Sequence, residues 1–328
     1  MFKNYKPPYT ITDLIVQQIA SISEMVAELT IKNEELSNQF LRRDNQIKTI
    51  HSSLAIENNS LSLEQVTDII NGKRILGHPA EIIEVKNAFE VYERLLEFNP
   101  FSIKDLLKAH EILMKNLTND SGRFRTAGVG VFAGDSLIHM APPAKLVPEL
   151  IEDLFNWLSS DIKVHPLIKS CVFHYEFEFI HPFSDGNGRM GRLWQTLILS
   201  GWKKVFRWIP VETVVRDKQS EYYEVLGICD KEGESTKFIE YMLNNLYETL
   251  SEIKSTEQVT EQVTEQVKVL LDVITNEPKS ANELMSLVGL KHQLTFRENY
   301  LKPAIKLGFV AMTSPDKPRS SKQKYFKK

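Results

Sequence analysis

Cysteine is nearly absent from this 328-residue chain. Two residues, Cys171 and Cys229, cannot build a disulfide framework, and Cys171 lies inside an apolar run, so both read as small hydrophobes in a reducing compartment. Also missing is any uninterrupted apolar span of membrane length, and the opening MFKNYKPPYTITDL has no apolar segment of the secretory kind. The expectation is a cytoplasmic protein with no membrane partner. Charge of one sign is scarce too: a formal net charge of -3 is too small to draw nucleic acid or a membrane to the whole molecule, so such a partner would need a local patch. No GxxxxGK[ST] occurs, which excludes a P-loop nucleotide fold. Alternation of period two is rare, which leaves little room for sheet.

What the chain has instead is apolar residues recurring at three and four. Leu14, Ile15, Ile19, Ile22, Met25, Val26 and Leu29 share one helical face, and Ile82, Val85, Phe89, Tyr92, Leu95 and Leu96 share another. Helices are expected over 12–29 and 81–98, then at about 103–116, 146–159, 166–180, 188–200, 218–229 and 235–254. The exception is GVGVFAGDSLIHM, 128–140, where two β-prone runs flank Ala133-Gly134-Asp135-Ser136 and predict a hairpin. It is either a lid over the loop that follows or an isolated two-stranded excursion. TEQVTEQVTEQV, 256–267, spaces Val259, Val263 and Val267 four apart and predicts a short amphipathic linker helix. Ser280 to Glu283 forms a capping box that starts a helix ending near Gly289. A second helix over about 292–307, the run Phe309 to Met312, a turn-rich PDKPRSS and KQKYFKK complete the outline of a winged helix.

The chemistry gathers in HPFSDGNGRMGR, 181–192, the turn between two apolar helices. The first backbone amides of the second helix have no partners within it, and Gly186 and Gly188 let them converge, which makes an anion nest. Arg189 and Arg192, three apart, can fork onto phosphate oxygens, and Asn187 can donate one more hydrogen bond. Asp185 would oppose an anion there unless it holds a cation, and a lone carboxylate beside phosphates is a common way to hold Mg²⁺. His181, whose residue type titrates near neutrality, suits removal of a proton from a hydroxyl. Taken singly, each residue has an ordinary structural explanation in packing, capping or a solvated face. Together they point to phosphoryl or nucleotidyl transfer.

At these positions the sequence resembles the Fic family, whose signature HxFx[DE]GNGRxxR is met by His181, Phe183, Asp185, Gly186, Asn187, Gly188, Arg189 and Arg192. The resemblance implies a mainly α fold: a Fic-type helical bundle with a small β-hairpin flap, followed by a C-terminal winged-helix domain. It divides the chain into an N-terminal helical region (1–98), a Fic catalytic core (99–250), a helical linker (251–267) and a winged helix-turn-helix domain (268–328). It implies a protein adenylyltransferase that moves AMP from ATP to a Ser, Thr or Tyr hydroxyl of a target protein, and of itself, and releases pyrophosphate. His181 would be the base, Asp185 the ligand of Mg²⁺ or Mn²⁺, and Phe183 a packing anchor. Gly186, Asn187, Gly188, Arg189 and Arg192 would hold the phosphates. Relatives with lysine in place of the second glycine transfer a phosphate instead, so Gly188 favours adenylylation.

The resemblance also reaches beyond the loop. Gly122 to Arg125 with the 128–140 hairpin looks like the flap on which the target docks by strand addition. Tyr222 and Tyr223 look like residues flanking the adenine, or are core aromatics. SSLAIENN, 52–59, resembles the inhibitory motif [ST]xxxE[GN] through Ser53, Glu57 and Asn58; Glu57 would pair with Arg192 and deny it to the γ-phosphate, against the plainer reading of a capped surface helix. The tail GLKHQLTFRENYLKPAIKLGFV resembles winged-helix extensions of bacterial relatives, and the acid-free basic run from Lys317 to Lys328 would meet DNA, dock a protein or be merely solvated. Removal of AMP by the same loop, and a DNA-binding regulator that only senses nucleotide, are the competing functions. A homodimer is compatible with all of them.

Overall fold

The computed structural model describes the backbone of residues 5–35, 39–133, 136–160, 163–315, 317–318, 320 and 322–327, and the side chains of these except 31–35, 39–41, 131–133, 136–139 and 255–264. It divides into two compact units, 1–251 and 252–328. The first holds helices α1 (Asp13–Glu35), α2 (Gln39–Ile56), α3 (Leu63–Ile70), α4 (Pro79–Glu93) and α5 (Ile103–Leu113). An antiparallel hairpin of β1 (Gly130–Ala133) and β2 (Ser136–Met140) follows, with Gly130 opposite Met140 and an irregularity between Val131 and Phe132. Then come α6 (Val147–Ser160), α7 (Pro166–Ile180), α8 (Asn187–Trp202), α9 (Val211–Asp217), α10 (Gln219–Glu232) and the start of α11 (Thr236–Val273). The expected N-terminal region and catalytic core thus share one compact unit. The helix expected over 235–254 and the helical linker expected over 251–267 are one helix, from 236 to 273.

Local chemistry sets the ends of these helices. Ser62 and Gln65 close a capping box at α3, Ser102 accepts from the Asp105 amide at α5, and Pro166 starts α7 where a missing N–H costs nothing. α7 and α8 form the centre: Leu167, Cys171, Phe173, Phe177, Met190, Leu193, Trp194 and Leu197 are all buried. α7 is buried on almost every side, which is why its sequence carries no clear polar face. The N-terminal segment is tied across this core, with Tyr5 donating to Glu176 (2.6 Å), the Ser235 amide to Pro8, and Thr12 to Glu240 (2.6 Å).

The second unit contains the end of α11, then α12 (Ala281–Leu287), α13 (Gln293–Phe296) continuing through one wide turn into α14 (Lys302–Lys306), and the antiparallel pair β3 (Val310–Met312) and β4 (Tyr325–Lys327). The Ser280–Glu283 capping box forms as expected. Val267, Leu270, Ile274, Leu284, Phe296, Leu301, Ala304, Val310 and Tyr325 make its core, and Lys279 bridges to Tyr325 beside the pair. This is the winged-helix outline. The faces of Val259 and Val263 lie outside the described residues.

Candidate active site

The loop 181–192 leaves α7 and enters α8 through two left-handed residues. His181, at φ +50°, ends α7 by donating its amide to Phe177, and Gly186, at φ +83°, precedes α8. A side chain at Gly186 would be strained by that backbone and would press on the Met114 sulfur at 2.7 Å. Asn187 is the clasp between the two turns: its Oδ1 accepts from the Phe183 amide (2.8 Å) and its Nδ2 donates to the Phe183 carbonyl (2.9 Å). One Nδ2 hydrogen of the side chain expected to reach a phosphate is therefore spent on the loop, and Asn187 also carries its main-chain N–H.

Phe183 is wholly buried and stacks on His110, ring centres 3.6 Å apart and planes within 4°. No sequence motif points to His110, yet its ring joins two segments to this loop. Nδ1 accepts from the Gly122 amide (2.9 Å), which leaves the proton on Nε2, 3.0 Å from the Asp185 carbonyl. Burial lowers its pKa to about 4, so the ring is held neutral in that one tautomer. Arg125 is a second residue missed: it donates to the carbonyls of His181 (2.7 Å), Ala127, Pro142 and Ile180, tying both ends of the hairpin segment to the loop. Its place at the end of the flap-like stretch Gly122 to Arg125 is the signal the sequence held for it.

Of the residues expected to act, Glu57, His181, Gly188, Arg192, Tyr222 and Tyr223 line one cleft of about 590 Å³, part of it open to solvent, together with Glu178 and its neighbours, whereas Asp185, Gly186, Asn187 and Arg189 are not among its lining. His181 Nδ1 lies 3.3 Å from the Glu178 carbonyl, an arrangement that places the proton on Nδ1 and leaves Nε2 able to accept one. Asp185 is two-thirds exposed; its Oδ1 accepts from the Gly186 amide (2.6 Å) and from Arg189 (3.1 Å). No group of three His, Cys, Asp or Glu side chains that could hold a metal by themselves is found among the described residues. One exposed, hard carboxylate beside an anion nest does fit Mg²⁺ or Mn²⁺, which would take its remaining ligands from phosphate and water.

Both arginines are paired with carboxylates. Arg189 donates to Glu84 (3.0 Å) and to Asp185 (3.1 Å). Arg192 donates to Glu57 (2.7 Å), to the Ser53 hydroxyl (3.1 Å) and to the Ser53 carbonyl (3.0 Å). Burial, the largest influence, opposes the charge on Arg192, and the Glu57 carboxylate together with Tyr222 and Glu178 outweighs it, so its pKa stands above the ordinary value. Ser53 sits on α2 and Glu57 just past its end, where the Asn58 backbone turns left-handed at φ +66°. Gly188 makes room for this: a Cβ there would collide with the Glu57 carboxylate and stand 3.0 Å from Arg192.

The two tyrosines part ways. Tyr222 is buried, packed on Phe238, and gives its hydroxyl to His174 Nε2 (3.2 Å), whose Nδ1 donates to Gln195 (2.8 Å). It forms the floor of the cleft as a core aromatic. Tyr223, packed edge-on to it, is part of the wall. The hairpin forms as expected, while its turn residues Gly134 and Asp135 and the side chains of 131–139 lie outside the described residues.

The chain matches the family model described as Fic/DOC family over residues 100–199, and over 265–326 the model for the C-terminal domain of Fic-like, filamentation-induced-by-cAMP proteins. Among curated relatives, protein adenylyltransferase fic-1 of Caenorhabditis elegans is 29% identical over 240 residues, 69% of this chain and 44% of that one. Its counterpart in Caenorhabditis briggsae is 31% identical over 216 residues, 62% and 40% of the two chains. The chain thus spans less than half the length of these relatives. A solved structure of a Fic family protein from Desulfovibrio desulfuricans G20 aligns with 99% of this chain and 98% of its own, at a TM-score of 0.77 and 52% identity. Fic-1 (aa134–508) of C. elegans, at 23% identity and a TM-score of 0.60 over 75% and 74% of the two chains, shares the fold. Every defined position of HxFx[DE]GNGRxxR stands in the turn between α7 and α8, and a solved relative matches the chain almost end to end, so the chain belongs to the Fic family.

Proposed function

We propose that the protein is an adenylyltransferase that moves AMP from ATP to a hydroxyl of a target protein, and that its Glu57 holds it in check. The activity named for the curated relatives supports the first part. The observation that carries the second is Glu57, 2.7 Å from buried Arg192 and inside the cleft that His181 lines.

In the forward reaction the acceptor oxygen bonds to the α-phosphorus of ATP as the bond to the bridging oxygen breaks. Pyrophosphate leaves with that oxygen. The hydroxyl proton goes to His181 Nε2, and Nδ1 keeps its own proton against the Glu178 carbonyl. Mg²⁺ or Mn²⁺, held by Asp185 and the phosphates, would neutralise charge on the leaving group. The amides from Gly186 to Arg189 and the guanidinium of Arg189 face the anion, and Arg192 clamps the far phosphate once Glu57 releases it. Tyr223 flanks the base over the floor made by Tyr222. The target adds as a strand to the 128–140 hairpin, and the acceptor is a Ser, Thr or Tyr.

The test is incubation with labelled ATP and Mg²⁺, followed by mass spectrometry of the modified residue. Glu57→Gly is expected to raise labelling of the protein itself at least about tenfold, the order of one clamping interaction, and His181→Ala to abolish it in either background. Equal labelling by wild type and Glu57→Gly would sink the inhibitory role. Removal of AMP is the second reading, favoured by Glu57 lining the same cleft as His181, where a carboxylate can orient water. AMP released from a labelled target, rather than gained by it, would select that reading.

For the second unit, exposed Lys322, Lys324 and Lys327 at the wing, and Arg297 and Lys302 on the helical run, support contact with a nucleic-acid backbone. A mobility shift that weakens with salt is expected; no shift at low salt would assign the unit to protein docking instead.

A further inference from the structure

Glu84, on the second turn of α4, carries no motif, yet both of its carboxylate oxygens are spent at the site. Oε1 accepts from Arg189 Nη1 at 3.0 Å. Oε2 accepts from Asn59 Nδ2 at 2.8 Å. Asn59 lies two residues past Glu57; it is buried, donates also to the Glu81 carbonyl, and uses its own carbonyl oxygen to hold the Leu61 amide (3.1 Å). Arg189 is buried on the other side of Glu84, and its Nη2 reaches Asp185 Oδ1 at 3.1 Å. Its Nε is buried with no hydrogen bond among the described residues, so the two carboxylates alone fix the guanidinium.

We propose that Glu84 is a positioning residue that couples the segment following the inhibitory helix to the anion-binding loop, accepting from Asn59 with one oxygen and from Arg189 with the other. The proposal rests on the reading of Arg189 as a phosphate ligand and of α2 as inhibitory. Its logic is one of donors and acceptors. Both partners are donors, so only an ionised carboxylate satisfies both, and an amide at this position would turn its NH₂ toward one of them. A shift of the chain after Glu57 is then felt at Arg189, and through Arg189 at Asp185. Arg192 is restrained by Glu57 directly, whereas Arg189 is set through this bridge.

A double-mutant cycle tests it in the Glu57→Gly background, with Glu84→Gln, Arg189→Lys and their combination compared by the calorimetric Kd for ATP with Mg²⁺. Each single change is expected to weaken ATP about fivefold, and the pair to be within about twofold of the weaker single, the signature of contacting residues. Multiplied losses would overturn the proposal. So would a Glu84→Gln chain that melts lower yet binds ATP as before, because that is a purely structural role. On the other arm, Asn59→Ala with Glu57 intact is expected to raise AMP transfer about threefold, a modest coupling effect, and to change nothing in Glu57→Gly; no rise with Glu57 intact would also overturn it. If no variant transfers AMP, the transferase reading fails, and the ATP-binding cycle still decides the role of Glu84.

Discussion

Arg192 is the residue on which inhibition and stability meet. Its guanidinium is 3% exposed and Glu57 is 30% exposed, so the pair is buried on one side and screened on the other. Removing one partner of a fully buried pair costs about 3–5 kcal/mol, and partial exposure with the remaining Ser53 bonds brings this to about 1–3 kcal/mol. Glu57→Gly is therefore expected to be the more active chain and the less stable one. ATP should repair the difference, because phosphate oxygens replace the missing carboxylate and a ligand bound only to the folded state raises its stability. Melting wild type and Glu57→Gly with and without saturating ATP and Mg²⁺ checks this. The ATP-induced rise in Tm is expected to be larger in the variant; equal rises would mean that Glu57 and phosphate do not compete for Arg192. The identity of these residues was legible in the loop signature and in [ST]xxxE[GN]. Their supporters were not: His110, Arg125 and Glu84 act through contacts 56 to 105 positions away, and no spacing rule relates them to the loop.

At the scale of elements, α2 is held by more than its one carboxylate. The Ser52 hydroxyl meets Thr213 (3.2 Å) on α9, Arg216 of α9 reaches His51 Nδ1 (3.2 Å) and Ser52 (3.3 Å), and Gln219 of α10 donates to the Ile56 carbonyl (2.8 Å). Arg216 can only donate, so His51 accepts with Nδ1 and is neutral; burial, then the Arg216 charge, lowers its pKa. These bonds fix the angle at which Glu57 enters the cleft. Arg216→Ala removes two of them at a partly exposed site, a loss of about 1–2 kcal/mol in helix docking. Self-labelling by Arg216→Ala is expected to lie between wild type and Glu57→Gly, and the change to add nothing in the Glu57→Gly background; activity equal to wild type would show that Glu57 alone positions the helix. Periodicity made most of the long helices legible but not α2, of eighteen residues, where only the stretch from Ser53 to Glu57 reads as helical; a capping box gave the start of α12. Nor did periodicity reveal α3 and α9, of eight and seven residues, because two turns carry too few apolar repeats to register. The helical linker expected over 251–267 forms part of α11, since TEQV repeats are as good a helix interior as a boundary.

On the scale of the whole 1–251 unit, the titration of four buried groups sets how folding responds to pH. Burial lifts Glu176 and Glu212 from 4.5 to about 7. It drops His110 to about 4 and His174 to about 3 from 6.5. A carboxyl whose folded pKa is raised stabilises most below its unfolded value, and that contribution is lost as pH climbs from about 4.5 to about 7. A histidine with a depressed pKa works the other way: its contribution is whole above about 6.5 and is lost on acidification toward 4 or 3. Between about 4.5 and 6.5 the folded state therefore holds more protons on these acids and fewer on its histidines, with His51 and His165 also lowered by burial, so the two slopes oppose each other. Glu176→Gln with Glu212→Gln removes one side of that balance. The amide oxygen introduced at position 176 can still accept from Tyr5, and the one at position 212 from Tyr92, so the neutral hydrogen bonds survive the exchange. Relative to wild type, the double variant is expected to gain stability as pH rises from 4.5 to 7, by at most a few kcal/mol for each acid at about 1.4 kcal/mol per pH unit. Urea unfolding at pH 4.5, 5.5, 6.5 and 7.5 reads the difference directly. Parallel curves for the two proteins would mean that both acids titrate alike in the folded and unfolded chain, and that the core beneath the cleft admits water to them.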